Sequence, residues 1–209
     1  MKKILFYLSA FAVMLCTACH PFKKKDNVSP EIVEQSELVL ENTISTDREY
    51  MFMNYGENYR WYESEILLKD YLDSETCDGT IVKVVNVFQV VTEYDSCADV
   101  HVIFFKHALD SFDIVVEEGF WVEDYPMNDD SLAITYKNAY EQAMNANCPK
   151  PHSKHCVLRK EVGAKEANAQ YIFGNTYAQI YVDAVTGEAN TDNPAFDNGD
   201  FGKPLGEWP

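Results

Sequence analysis

The chain has 209 residues, with 34 acidic side chains against 17 basic ones and a formal net charge of −17 at neutral pH. That excess excludes nucleic acid as a partner and makes anionic lipid a poor one for the main body, since both repel a polyanion. The length leaves room for one domain, or two small ones once a leader is removed.

The first twenty residues read as an export signal. Lys2 and Lys3 precede an uncharged apolar run from Ile4 to Leu15. Such a run is shorter than the roughly twenty residues a membrane-spanning helix needs, and fits the core of a secretory signal. It ends Leu15-Cys16-Thr17-Ala18-Cys19, close to the lipoprotein signal-peptide pattern, with Cys16 departing from the usual aliphatic or small residue. The expectation is a leader over residues 1–18, acylation of Cys19 and a lipid anchor in the bacterial cell envelope, at the inner or outer membrane. The competing reading is an ordinary signal peptide with an incidental cysteine.

Residues 19–48 are polar and read as a tether, with Lys23, Lys24 and Lys25 near the anchor and room for one short helix. From Asn58 to Asp73, the positions Trp61, Leu67, Leu68, Tyr71 and Leu72 share one helical face, which predicts an amphipathic helix. Runs rich in Val, Ile, Phe and Thr at Thr80–Tyr94, Asp99–Lys106 and Phe112–Asp124 predict an antiparallel meander. A second helix follows, with Thr135 as N-cap and Tyr136, Ala139, Tyr140, Ala143 and Met144 on its buried stripe. Three further strands are predicted at Val157–Val162, Gln170–Asn175 and Ala178–Ala184, and from Asn190 the chain reads as a polar tail. The fold class is therefore α+β: two consecutive helix-plus-meander units over residues 49–130 and 131–189, or one fused sheet carrying both helices.

After cleavage and acylation four cysteines remain. Cys148 and Cys156 flank a seven-residue stretch, and a disulfide closing so small a ring is worth roughly 2–3 kcal/mol in an oxidising compartment. By elimination Cys77 would pair with Cys97. A straight strand over residues 80–94 would hold its ends roughly 45–50 Å apart, whereas bridged Cα atoms lie within about 7 Å. Either that strand bends back or these cysteines pair otherwise. Cys148, His152, His155 and Cys156 also form a zinc-capable set, although the spacing fits no common finger and adjacent His155 and Cys156 would strain a shared tetrahedron.

The second unit resembles a PepSY module, the small cystatin-like α+β domain of many bacterial envelope proteins. Two features carry the resemblance: the alanine-bearing helix from Tyr136 to Asn147 followed by a meander, and the closing pattern Tyr181-Val182-Asp183-Ala184-Val185-Thr186-Gly187-Glu188-Ala189. Ala189 stands where the family usually has an aliphatic residue such as Val. Asp183 is expected to accept hydrogen bonds from turn amides and Gly187 to supply a positive φ. The resemblance implies a link to peptidase inhibition or regulation. The first unit is cystatin-like in its order of elements alone.

No catalytic motif is present: there is no HExxH, GxSxG, phosphate-binding glycine loop or CxxC pair, and nothing calls for a cofactor or a resident metal. Glu117-Glu118 and Glu123-Asp124 read as solvent-facing strand acids rather than a glycosidase pair. Tyr59, Tyr62 and Ile66 would face away from the predicted helix's core stripe, and Phe120 and Trp121 interrupt a strand. These five residues form either a binding surface or a second covered face. The resulting expectation is a non-enzymatic, lipid-anchored module that binds a protein or peptide. The alternative is a small-ligand-binding or hydrolytic protein with a pocket between sheet and helices.

Overall fold

The computed structural model describes residues 37–91, 101–111, 113–119, 125–127, 131–161 and 166–192. In chain order the elements are α1 Leu40–Tyr55, β1 Tyr59–Leu68, β2 Ile81–Val90, β3 His101–Ala108, β4 Val115–Gly119, α2 Tyr136–Asn145, β5 His155–Arg159, β6 Gln170–Asn175, β7 Ala178–Asp183 and β8 Ala189–Asn190. The eight strands form one open antiparallel sheet in the order β4-β3-β2-β1-β5-β6-β7-β8. The class is α+β, and both meanders belong to the same sheet.

The register explains which side chains meet the helices. Partners across an antiparallel ladder point to the same face. Following the pairs, Val116, Phe105, Asn86, Ser64, Leu158, Tyr171, Val182 and Ala189 form one row across all eight strands. This row faces the helices. Asn86 bonds to α1, while Tyr171 packs edge-on against Tyr136 of α2 with ring centres 6.4 Å apart. Leu40, Ile44 and Met51 of α1 and Ala139 and Ala143 of α2 close the core over Trp61, Ile66, Leu68, Phe88 and Phe173. The opposite face carries Glu117, Phe104, Val87, Glu63, Arg159, Gln170 and Asp183 in the adjacent row.

Two elements differ from the expectations. The helix expected over residues 58–73 is strand β1, and the first helix lies earlier, so the folded region begins before the boundary drawn at residue 48. Tyr59, Trp61, Ser64, Ile66 and Leu68 face the helices in alternation, interrupted by a bulge between Trp61 and Glu63. The bulge breaks the period of two, and the apolar residues that remain mimic a helical stripe. In α1 the buried positions Leu40, Thr43, Ile44, Asp47 and Met51 have helical spacing, but two of them are polar, which hides the pattern from hydropathy. The helix α2 forms where its spacing places it, with Thr135 Oγ1 accepting from the N–H of Asn138 at 3.3 Å. A second cap comes from α1: Glu41 Oε1 accepts from the Tyr136 N–H at 2.6 Å, a favourable place for a carboxylate because the helix N-terminus carries partial positive charge.

Neighbouring residues on β1 separate the strand from a helix experimentally. Ile66 is buried, whereas Glu65 is exposed on the other face. Ile66→Ala is expected to cost about 2–5 kcal/mol through loss of core packing. Glu65→Ala should cost under about 0.5 kcal/mol, as exposed sites usually do. Urea melts of the two variants check the difference, and equal losses would refute the strand register.

Candidate functional site

Under α1 lies a chain of polar side chains with almost no solvent. Asp47, Asn86 and Ser64 are fully buried, and Thr43 and His107 nearly so. Ser64 Oγ donates to Asn86 Oδ1, and Asn86 Nδ2 donates to Asp47 Oδ2 at 2.6 Å and to Thr43 Oγ1 at 3.1 Å. His107 Nε2 lies 3.0 and 2.9 Å from the two Asp47 oxygens. Helix α1 supplies Thr43 and Asp47, while β1, β2 and β3 supply Ser64, Asn86 and His107.

A serine, a histidine and an aspartate together invite comparison with a hydrolytic triad, but the connectivity is wrong. The Ser64 hydroxyl is spent on Asn86 and reaches His107 only through two intermediaries. A nucleophile must bond its base directly and meet substrate. What the chain does is pin α1 to three strands at once. Burial pushes the Asp47 carboxyl above its ordinary value of 3.8, and the hydrogen bonds from His107 and Asn86 and the His107 charge only partly offset this. His107 also borders a cavity of about 200 Å³, together with Leu38, Asn42, Thr46, Ser111, Asp113 and Ile114.

Beside this cavity the sheet ends in β4. Ile114, Val115 and Val116 are 40%, 50% and 40% exposed, three consecutive aliphatic residues with large solvent-facing surface. Among the described residues β4 pairs only with β3, and no described strand occupies its outer ladder of N–H and C=O groups. Glu117 pairs with Lys106, and Glu118 lies 3.1 Å from His101 Nε2. The opposite outer strand, β8, is only two residues long.

At the other end of the sheet the turn after β7 is built as the motif suggests. Asp183 Oδ1 accepts from the N–H groups of Val185 and Thr186, each at 2.8 Å, and Gly187 has φ +75°. Burial alone would push the Asp183 carboxyl up. Donors from Thr186, Asn168, Val185 and Gln170 outweigh it and hold the group below its ordinary range. A shallow cleft of about 460 Å³ opens between this turn and α2, lined by Ile134, Asn138, Glu141, Gln142, Thr186, Gly187 and Glu188.

The residues expected to form a binding surface do not lie together. Ile66 is in the core, Tyr59 packs edge-on against Phe88 at 5.8 Å, and Tyr62 sits half-buried at the β1 bulge. Ile66 is therefore withdrawn as a surface residue: the strand, unlike a helix, turns it toward α1 and α2. Phe120, Trp121, Cys19 and Cys97 lie outside the described residues. The expected Cys148–Cys156 bridge is not formed, and Cys77, Cys148 and Cys156 are free thiols. Strand β5 draws Cys156 into the core, while Cys148 lies past α2 with its Sγ 4.0 Å from Lys150 Nζ. The zinc arrangement fails for a related reason, since adjacent His155 and Cys156 point to opposite faces of β5. His152 instead stacks on Tyr71, with ring centres 4.2 Å apart, and meets Asp73 at 3.0 Å.

Nothing in the sequence patterning by itself singles out His107, Asp47, Asn86 or the edge run at residues 114–116. The available signal was the spacing of Asp47 from Leu40, Thr43 and Ile44, one helical face if a buried acid is allowed. Comparison with protein-family models, with curated proteins and with solved structures finds no match to the chain. Among the described residues, no helix is long and apolar enough to cross a membrane.

The network makes a pH-dependent prediction. A raised folded-state pKa at Asp47 contributes stability that is complete below the unfolded value and is lost as pH rises through the folded value. Asp47→Asn should retain an acceptor for Asn86 and remove this loss, flattening the decline in stability above about pH 4. Asp47→Ala strands buried donors and should cost about 3–5 kcal/mol. Denaturant melts from pH 4 to 7 distinguish them; an unchanged slope in Asp47→Asn would refute the assignment.

Proposed function

We propose that this protein is a lipid-anchored component of the bacterial envelope that binds a polypeptide partner and performs no chemistry of its own. The observation that carries the binding reading is the exposed Ile114-Val115-Val116 run on a sheet edge that no described strand covers. Exposed, unpaired and apolar strands are costly hazards for a soluble protein, which normally shortens, charges or covers them. β4 is short and ends in Glu117 and Glu118, but the Ile114-Val115-Val116 run before them stays uncharged and exposed, which fits a site meant to be covered by something else.

The address rests on the signal pattern ending at Cys19. Reading the C-terminal half as a PepSY module, and the whole as two cystatin-like units, belongs to the same proposal. Its support is the turn in which Asp183 gathers amide hydrogen bonds and Gly187 adopts a positive φ. By that resemblance, a peptidase or its regulator is a candidate partner class. The small-ligand alternative has two openings to draw on. The cavity at His107, with a volume of about 200 Å³, falls below the 300–1,000 Å³ usual for such sites. The cleft beside α2, at about 460 Å³, is large enough but is shallow and lined mostly by polar side chains rather than the apolar ones such sites favour.

Two measurements test this. Cys19→Ser should abolish lipid labelling and recovery in the membrane fraction; unchanged labelling would refute the anchor. A photo-crosslinking residue at Val115 should capture a discrete envelope protein, while one at exposed Lys83 should not. Capture from position 115 should disappear when Val116→Lys is introduced beside the crosslinker. Equal labelling from both positions would refute binding through this edge.

A further inference from the structure

The chemistry of β4 specifies more than the existence of a partner, and the following step rests on the binding reading above. Side chains alternate along a strand, so Val115 and Glu117 share one face and Val116 and Glu118 the other. A strand added outside β4 would place its side chains about 4.5–5.5 Å from these, close enough that apolar and opposite-charge pairs stabilise and like charges destabilise. The strand itself carries carboxylates and no basic residue. Glu117 pairs with Lys106 and Glu118 meets His101 on the inner side, but both carboxylates stay more than half exposed. Asp113 stands just before the strand, and the chain as a whole has a net charge of −17.

We propose that the outer edge of β4 takes up an extended segment of another protein as an added strand, and that this segment joins basic to apolar residues. In antiparallel pairing the partner reads basic-basic-apolar-apolar from its N-terminal end, setting its basic pair opposite Glu118 and Glu117 and its apolar pair opposite Val116 and Val115. In parallel pairing the order reverses. Main-chain hydrogen bonds to the outer ladder supply affinity, and alternate side chains supply selectivity. The acidic surface steers such a segment toward the edge.

A second copy of the chain fits less well. Antiparallel self-pairing about the Val116–Glu117 midpoint would set each Glu117 opposite Val116 and each Glu118 opposite Val115. No countercharge would be gained, and two strongly acidic molecules would be brought together.

The test uses the purified full chain and fluorescent ten-residue peptides bearing Lys-Lys-Val-Val or Val-Val-Lys-Lys at their centre, read by anisotropy. At least one peptide should bind. Replacing its lysines with glutamates, or N-methylating alternate amides on the edge facing β4, should each weaken binding by about tenfold or more. Val115→Lys/Val116→Lys, with its melting temperature checked against the parent, should weaken binding similarly. Binding that survives N-methylation overturns strand addition, and binding that survives the glutamate peptide overturns the basic partner. Failure of every peptide to bind overturns the inference, as does concentration-dependent dimerisation abolished by the same double variant. A partner captured at Val115 in the envelope, alongside failure of the peptides, would sink this inference and leave the broader binding reading standing.

Discussion

The antiparallel pairing of β1 with β5 is the interaction on which the rest of the structure depends. Each half of the chain is a helix followed by a meander whose first strand lies innermost. Alone, each meander would expose that first strand as an edge, and β1 is ten residues long. Pairing Glu63–Leu67 with Arg159–His155 removes both inner edges and produces one sheet. Arg159 reinforces the seam from the face opposite the helices, lying 3.7 Å from Glu63 across the strands. After this pairing β8 and β4 are the outermost of the described strands. The short β8 offers little to pair with, so among the described strands β4 presents the longer outer ladder.

The two helices are fixed to that sheet by different means. Helix α2 uses tyrosines: Tyr136 donates to Gly79 O at 3.0 Å and Tyr140 to Cys77 O at 2.9 Å, both in the β1–β2 connection. A Cβ at residue 79 would lie 2.8 Å from the Tyr140 ring, so close packing as well as its φ of +79° requires glycine there. Helix α1 uses a carboxylate. A purely apolar helix face can shift by a turn at modest cost, whereas Asp47 must reach Asn86 and His107 together. Breaking such a buried pair from one side is costly, because the remaining group is left without its partner.

This difference also explains what could be read from the sequence. Helix α2 buries alanines and tyrosines at helical spacing and was legible, as were the β-rich runs of β2 and β3 and the turn containing Asp183 and Gly187. Helix α1 was not, because Thr43 and Asp47 occupy its inward face. β1 was mistaken for a helix because its bulge at Tyr62 shifts the alternation halfway along. Both misreadings stem from the same pair of elements, since Ser64 on β1 and Asp47 on α1 are members of one polar chain. The edge run at residues 114–116 looked like any strand interior. Only the order of strands, a property of pairings distant in sequence, reveals that nothing described lies beyond it.

The cap that Glu41 places on the Tyr136 amide joins residues 95 positions apart. Its consequence lies in the order of folding. The ten-residue α2 is too short to persist as an isolated helix in water, and its N-terminus depends on a residue at the far end of the folded chain. Hairpins within each meander involve near neighbours and can form within microseconds, whereas the seam and this cap must wait for a long loop to close. The contacts between the two halves therefore carry the largest loop-closure cost of the fold, and α2 gains its N-terminal cap only as the halves meet.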